Sequence, residues 1–368
     1  MKIDSAELRI IKLRLLHPFE TSFGVEEDRT IPLLTLYCQG LEGYSEGVME
    51  VLPLYREEFV AGAVSLLKDA LLPRIIGEDI QTPQDILDKL VMFRGNRMAK
   101  AMIEMAFWDL WSKSKSQSLS VTIGGNRQRI PVGVSLGIQK SLEATRDQVQ
   151  KHLDQGYKRI KLKIKPGWDT QMIGYVRQEF PDAVLTVDAN SCYSLADINI
   201  LRELDQYRLD YIEQPLAYDD IFDHAKLQSQ LKTSICLDES ILSAEDARKA
   251  LEIDAGRVIN IKVGRVGGHL EALRVHDVAQ SYKVPVWCGG MLESGIGRAH
   301  NIHLATLPNF SKPGDTSSAS RYWAQDIVNE NLETKDGFMP VPQGPGIGVT
   351  INRSYLESLT IVREAIRS

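Results

Sequence analysis

Cysteine is scarce in this chain. Cys38, Cys192, Cys236 and Cys288 are the only four in 368 residues, and no two form a C-x-x-C pair. That spacing excludes a disulfide scaffold and makes a reduced, cytoplasmic protein the expectation. Long apolar runs are missing too. None approaches the roughly 20 residues that span a bilayer, and the opening MKIDSAELRI lacks the apolar stretch of a signal peptide. Positive charge is in deficit, with a net charge of −6, which argues against nucleic acid or an anionic membrane as a partner. No complete G-x-G-x-x-G, P-loop or H-E-x-x-H occurs, so the turns in GRVGGH and CGG read as helix entries and not as phosphate cradles.

Acidic residues closing apolar runs are conspicuous. Asp188 ends AVLTVD, Glu213 ends LDYIE and Asp238 ends SICLD, each 25 residues after the last. A βα unit of a parallel barrel has about that length, because eight of them make roughly 250 residues. Barrel strands are otherwise apolar, so three carboxylates at consecutive strand ends mark the catalytic face. Together they would repel one another unless a cation held them, and a divalent metal is the economical reading. Lysines frame the cluster. Lys161 and Lys163 in KRIKLKIKPG share one strand face. Lys262 closes RVINIK, 24 residues past Asp238. On consecutive strands the two lysine groups face each other across the barrel mouth. Near other cations, or when desolvated, a lysine ammonium loses its proton more readily and can act as a base.

Two regimes divide the chain. Residues 1–50 read as an antiparallel meander, with Gly40 and Gly43 marking a hairpin turn. Helical patterns follow in YREEFVAGAVSLLKDALLPRI, TPQDILDKLVMF and MAKAMIEMAFWDLWSKS. From IPVGVSLG onward, short β-branched runs alternate with amphipathic helices. Their predicted ends fall near Ser135, Ile164, Asp188, Glu213, Asp238, Lys262, Trp287 and Gly314, with Ser194 and Ser243 as helix N-caps. We therefore expect an α+β capping domain over residues 1–120, completed by about 325–368, and an α/β barrel, a modified TIM barrel, over 121–324. HPFETSFG (17–24), with Phe19 and Phe23, suits a lid over an apolar acyl group, and GVMEVLPLY (47–55) a second wall. His300 and His303, three apart in a helical pattern, read as packing or capping residues.

The set KLK, VDAN, IEQP, LDES and NIKVGRVGG, in order and at these intervals, resembles the enolase superfamily and its muconate-lactonizing subgroup. Within it, RIKLKIKPGWD, INIKVGRVGG, CGGMLESGIGRAHN and PGDTSSASRYW are similar to the o-succinylbenzoate synthases that also racemise N-succinylamino acids. The resemblance implies Asp188, Glu213 and Asp238 as ligands of Mg²⁺ (or Mn²⁺). It implies Lys163 as the base taking a proton α to a carboxylate, Lys161 as its electrostatic partner and Lys262 on the opposite face. Lys or His bases working against Mg²⁺ are the general pattern of that superfamily. Ser135, Asn190, Arg265, Gly290, Met291, Phe19 and Phe23 are implied substrate contacts. The implied reactions are syn-dehydration of 2-succinyl-6-hydroxy-2,4-cyclohexadiene-1-carboxylate, a menaquinone-pathway step, and two-base racemisation, both on a small-molecule carboxylate. A homo-oligomer is compatible with the fold.

Other readings are weaker. Dipeptide epimerases and muconate cycloisomerases keep similar lysines and carboxylates, but Arg265 favours the racemase-capable branch. A hydrolase or aldolase barrel would want His ligands at strand ends, and those positions carry none. A non-catalytic binding protein on the same barrel would be expected to have lost a ligand or a lysine. GYSEG and SKSKSQS depart from the subgroup's more familiar aromatic-Gly-Glu turn and Arg/Gly-rich helix end, and both belong to the capping module.

Overall fold

Alternation sets the first sheet. In the computed structural model, which describes residues 1–21 and 24–367, β1 (Ser5–Glu20) turns Ile11, Leu13 and Leu15 inward and Lys12 and Arg14 outward. β1 pairs antiparallel with β2 (Val25–Cys38), which pairs with β3 (Leu41–Glu46). The turn between β2 and β3 is made by Gln39 and Gly40, both at positive φ. Gly43, expected at that turn, lies inside β3 instead. A Cβ there would come within 2.2 Å of the Ala106 carbonyl and 2.5 Å of Leu110, so the glycine admits a helix and not a reversal.

That helix, Arg97–Ser114, is buried nearly all round because two cores claim it. Ala101, Met105 and Trp108 join the barrel core, while Met102, Ile103, Phe107 and Leu110 pack under the capping sheet. The helical run expected over 55–75 is a helix at Val60–Leu66 that widens to a π turn and tightens to a 3₁₀ turn containing Pro73. Pro73 lacks the N–H that regular helix needs.

The strands that follow are β4 (Arg129–Pro131), β5 (Val134–Leu136), β6 (Ile160–Lys163), β7 (Leu185–Asp188), β8 (Ile212–Glu213), β9 (Ile235–Leu237), β10 (Val258–Ile261) and β11 (Val286–Cys288). β5 to β11 form a seven-stranded parallel sheet in sequence order, with helices between them. Such βα alternation with all-buried strands is what a barrel requires. Ser194 and Ser243 cap helical turns, their hydroxyls accepting from Ala196 and Asp246. The eighth strand expected near Gly314 is reduced, among the described residues, to bridges: Phe310 to Val286 and Gly314 to Val132. Pro313 has no N–H to give a ladder. A Cβ on Gly314 would come within 2.8 Å of the Cys288 carbonyl, so the glycine lets the two segments meet there, and these bridges close the ring. Beyond it, β12 (Phe338–Pro340) pairs with β4, and β13 (Thr360–Arg367) returns to pair antiparallel with β1. Among the described residues no helix is long and apolar enough to cross a membrane.

Two buried glutamates tie the capping elements to barrel helices. Glu104 accepts the N–H groups of His269 and Leu270, both at 2.8 Å. Glu46 accepts those of Ser294 (3.0 Å) and Gly297 (2.9 Å). Each carboxyl thus sits on the positive end of a helix. Burial, reinforced by the charge of Glu293, nevertheless pushes Glu46 up to about 8. A carboxyl raised in this way stays protonated in the fold where the unfolded chain is already ionised. Its contribution is complete below about pH 4.5 and is lost as pH rises through about 8. Against Glu46→Gln, the wild-type Tm should therefore fall by a few degrees between about pH 5 and about pH 9. A pH-independent gap in calorimetry would contradict this.

Candidate active site

Register brings the charged strand ends together. Ser135 pairs with Lys161, Lys163 with Asp188, and Asp188 with Glu213. Asp238 and Lys262 each follow their strand by one residue. All of these side chains are buried. Lys163 donates to Asp188 at 2.7 Å and to Asn190 Oδ1 at 2.6 Å. Lys161 stands between Asp188 (3.3 Å), Glu213 (2.9 Å) and Asp315 (2.8 Å). Lys262 donates to Asp238 at 2.8 Å and to the Tyr55 hydroxyl at 3.1 Å. Arg265 donates to the other oxygen of Asp238 and, at 2.9 Å, to Tyr55.

The electrostatics follow from these pairs. Burial alone would lower Lys161 and Lys262. The carboxylates outweigh it, Asp315 and Glu213 for the first and Asp238 for the second, and both lysines stand well above the usual range. The expectation that neighbouring cations depress these lysines therefore does not hold for Lys161 and Lys262, because each is held by carboxylates at salt-bridge distance. Burial likewise works to raise Asp188 and Asp238, and the adjoining cations reverse it. Glu213 is raised, by burial and then by the charge of Asp188.

Whether these residues suit a divalent cation is a question of donor chemistry. Asp188, Glu213 and Asp238 supply only hard carboxylate oxygens, as Mg²⁺ or Mn²⁺ prefers. Each already holds a lysine or arginine, so each presents oxygen to positive charge. Beside them, Glu239 Oε2 is buried with no hydrogen-bond partner. Among the described residues, no three His, Cys, Asp or Glu side chains stand close enough together, as placed, to grip one ion. The donor set fits by type, with its oxygens turned to the ammonium groups.

Two adjoining chambers open on the lysines. The larger, about 670 Å³, is bordered by Phe19, Leu54, Tyr55, Asn190, Met291 and Leu292 around Lys163 and Lys262. The second, about 470 Å³, reaches Ser135, Lys161, Asp188, Gly290 and Tyr322. Phe19 lies near the tip of the β1–β2 hairpin, where the register shifts after Arg14. The tip is bonded to the barrel through Ile138 N–H to the Glu20 carbonyl (3.2 Å). Phe23 lies outside the described residues. Arg265 does not line either chamber and acts from behind Asp238.

Asn260 and Asp315, for which the sequence suggested no role, join the cluster. Asn260 donates to Glu213 at 2.8 Å, and its place two residues before Lys262 repeats the Lys161–Lys163 pattern. Asp315 binds Lys161 and, at 2.8 Å, Arg159, one residue past the predicted eighth strand end. Asn190 also donates to Glu239 at 3.1 Å and has φ of +44°, a strained setting for a non-glycine. Tyr55 closes the GVMEVLPLY segment and, with Glu50 and Leu54, lines the larger chamber as the expected second wall; only its bonds to Lys262 and Arg265 carried no local signal. His300 and His303 are fully bonded helix residues, to Tyr44 and His269 and to Ser120 and Ile347.

Comparison with known proteins adds independent findings. Residues 5–124 match the mandelate racemase / muconate lactonizing enzyme N-terminal domain, and residues 144–355 the enolase C-terminal domain-like family. The chain is 61% identical to the N-succinylamino acid racemase of Thermus thermophilus, over 98% of both chains. It is 46% identical to the o-succinylbenzoate synthase of Geobacillus kaustophilus, over 98% of this chain and 96% of that one. An enolase-superfamily protein from Listeria innocua superposes with a TM-score of 0.97 at 43% identity, over 100% of this chain and 99% of that one.

Proposed function

Because the chain belongs to the mandelate racemase / muconate lactonizing enzyme branch of the enolase superfamily, we propose that it abstracts the proton α to a carboxylate with two opposed lysines. On this reading it racemises N-succinylamino acids and also dehydrates 2-succinyl-6-hydroxy-2,4-cyclohexadiene-1-carboxylate to o-succinylbenzoate. Racemisation comes first because the racemase relative is the more similar of the two. The observation that carries the proposal is that Lys163 and Lys262 border one cavity from β6 and β10, four strands apart.

The α-proton of a carboxylate is only weakly acidic, so the site must meet the charge that forms as it leaves. A divalent cation held by Asp188, Glu213 and Asp238 would supply Lewis-acid charge to that carboxylate. Lys163 removes the proton from one face, and Asn190 fixes its ammonium. Lys161 offers a fixed positive charge beside it. Lys262, steadied by Tyr55 and Asp238, delivers a proton to the other face in racemisation. In dehydration Lys163 alone shuttles the proton to the departing hydroxyl, while Lys262 stays charged. Assay of the purified protein with Mg²⁺ on both substrates tests the reading, and turnover of neither would end it.

Phe19 closes the cavity on its apolar side. Phe19→Ala should raise KM about tenfold, the loss of roughly one aromatic wall contact, with kcat changed much less. Unchanged steady-state kinetics would remove Phe19 from the site.

A further inference from the structure

The charged cluster rests on an aromatic floor. Trp287, on β11, forms a small buried layer inside the barrel with Tyr211, Cys236 and Val258. Barrel interiors are filled in such layers, and a large side chain there is ordinary by itself. Two neighbours set this one apart. The Lys161 ammonium stands 4.7 Å from the centroid of the Trp287 ring, and the Arg159 guanidinium 5.0 Å from it. Both distances fall within cation–π range, and tryptophan is the side chain best suited to that contact. The same two cations also share Asp315, each at 2.8 Å. The ring is itself held in place. It is fully buried, stacks on Tyr211 with 5.8 Å between centroids, and donates its indole N–H to Cys236 Sγ at 3.3 Å.

Trp287 borders neither catalytic chamber, whereas Lys161 lines the second. The ammonium therefore lies between the ring and the space open to a substrate. Lysine carries its charge on a flexible four-carbon stem, so a charge that must meet an enediolate at one place has to be fixed there. Asp188 and Glu213 also bond Lys161, but they share that task with the divalent cation assigned to them above. Asp315 and Trp287 have no part in holding the ion. A ring face attracts the ammonium through its quadrupole. It takes no proton from the lysine and offers no oxygen for which a metal would compete.

We propose that Trp287 is a positioning residue for the reaction, its ring holding Lys161 by cation–π attraction where charge forms on the substrate carboxylate. The inference rests on the proposed proton abstraction α to a carboxylate and adds to it a residue that does not touch the substrate.

Trp287→Phe keeps a ring beneath Lys161, and Trp287→Leu removes it. In the Mg²⁺-loaded full chain, Trp287→Leu should lower kcat for racemisation of N-succinylphenylalanine about tenfold, with KM changed less than about twofold. Trp287→Phe should keep about a third or more of the wild-type kcat. Equal losses in the two variants, or a leucine loss carried by KM alone, overturn the assignment. Emission spectra give a readout independent of turnover. Of the chain's five tryptophans, Trp287 is the one that Lys161 faces among the described residues. Lys161→Met should therefore change the tryptophan emission of the otherwise wild-type chain and leave that of Trp287→Phe unmoved. No change in the first, or an equal change in both, overturns the contact. If Trp287→Leu does not fold, the emission comparison, which needs only Trp287→Phe, decides. If the wild type racemises nothing, the activity reading fails on its own, and the same comparison still supports or overturns the placement of Lys161 on the ring.

Discussion

Lys163→Ala is expected to abolish racemisation and dehydration together, a loss of about 10²–10⁴-fold or more, as removal of a general base entails. Its ammonium is held between Asp188 and Asn190, and the neighbouring Lys161 is kept protonated by Asp315 and Glu213, so an alanine leaves no base to replace it at that face. In deuterium oxide the variant should retain slow exchange of the one enantiomer whose α-proton faces Lys262. Lys262→Ala should show the complementary preference. Dehydration should fail in both variants for different reasons, since Lys163 moves the proton and Lys262 supplies charge. Lys262→Arg separates the two. A guanidinium stays charged but is a poor base, so it should recover part of the dehydration and little of the racemisation. Wild-type racemisation by Lys262→Arg would sink the two-base assignment and leave Lys163 working with another partner.

What the sequence made legible is what period and spacing encode. Lys161 and Lys163 alternate on a strand, Asp188, Glu213 and Asp238 recur at the βα interval, and the predicted strand ends fall within about one residue of β5 to β11. The same rules could have found Asn260, which repeats the alternation before Lys262. They misplaced Gly43, because a glycine admitting a helix has the same letter as a glycine in a turn. The eighth strand faded because Pro313 removes a donor where the ladder needed one. Glu46, Glu104 and the bond between Tyr55 and Lys262 were out of reach on different grounds. Each meets the barrel across more than 160 residues of chain, and no local pattern carries a contact of that range. Asp315 is the intermediate case: its position was close to a predicted strand end, yet only its two bonds, to Lys161 and Arg159, show that it belongs to the charged cluster.

Asp238→Asn should cost both stability and activity, because its carboxylate is the shared counterion of Lys262 and Arg265. Both cations are buried, at 7% and 1% exposure, and their other common partner is the neutral Tyr55 hydroxyl. Removing one member of a buried ionic cluster leaves uncompensated charge and typically costs about 3–5 kcal/mol, enough to lower Tm by several degrees. Adding Arg265→Met withdraws one of the stranded cations, so the double variant should regain much of the lost Tm while turnover stays absent. That non-additivity is the signature of a direct coupling. Mg²⁺ gives a second readout. A ligand that binds only the folded state raises Tm with its concentration, so millimolar Mg²⁺ should stabilise the wild type and leave Asp238→Asn nearly unmoved. Equal stabilisation of the two would place the cation elsewhere than on Asp238. An Asp238→Asn protein as stable as the wild type would mean that Tyr55 and the barrel backbone suffice to hold both cations.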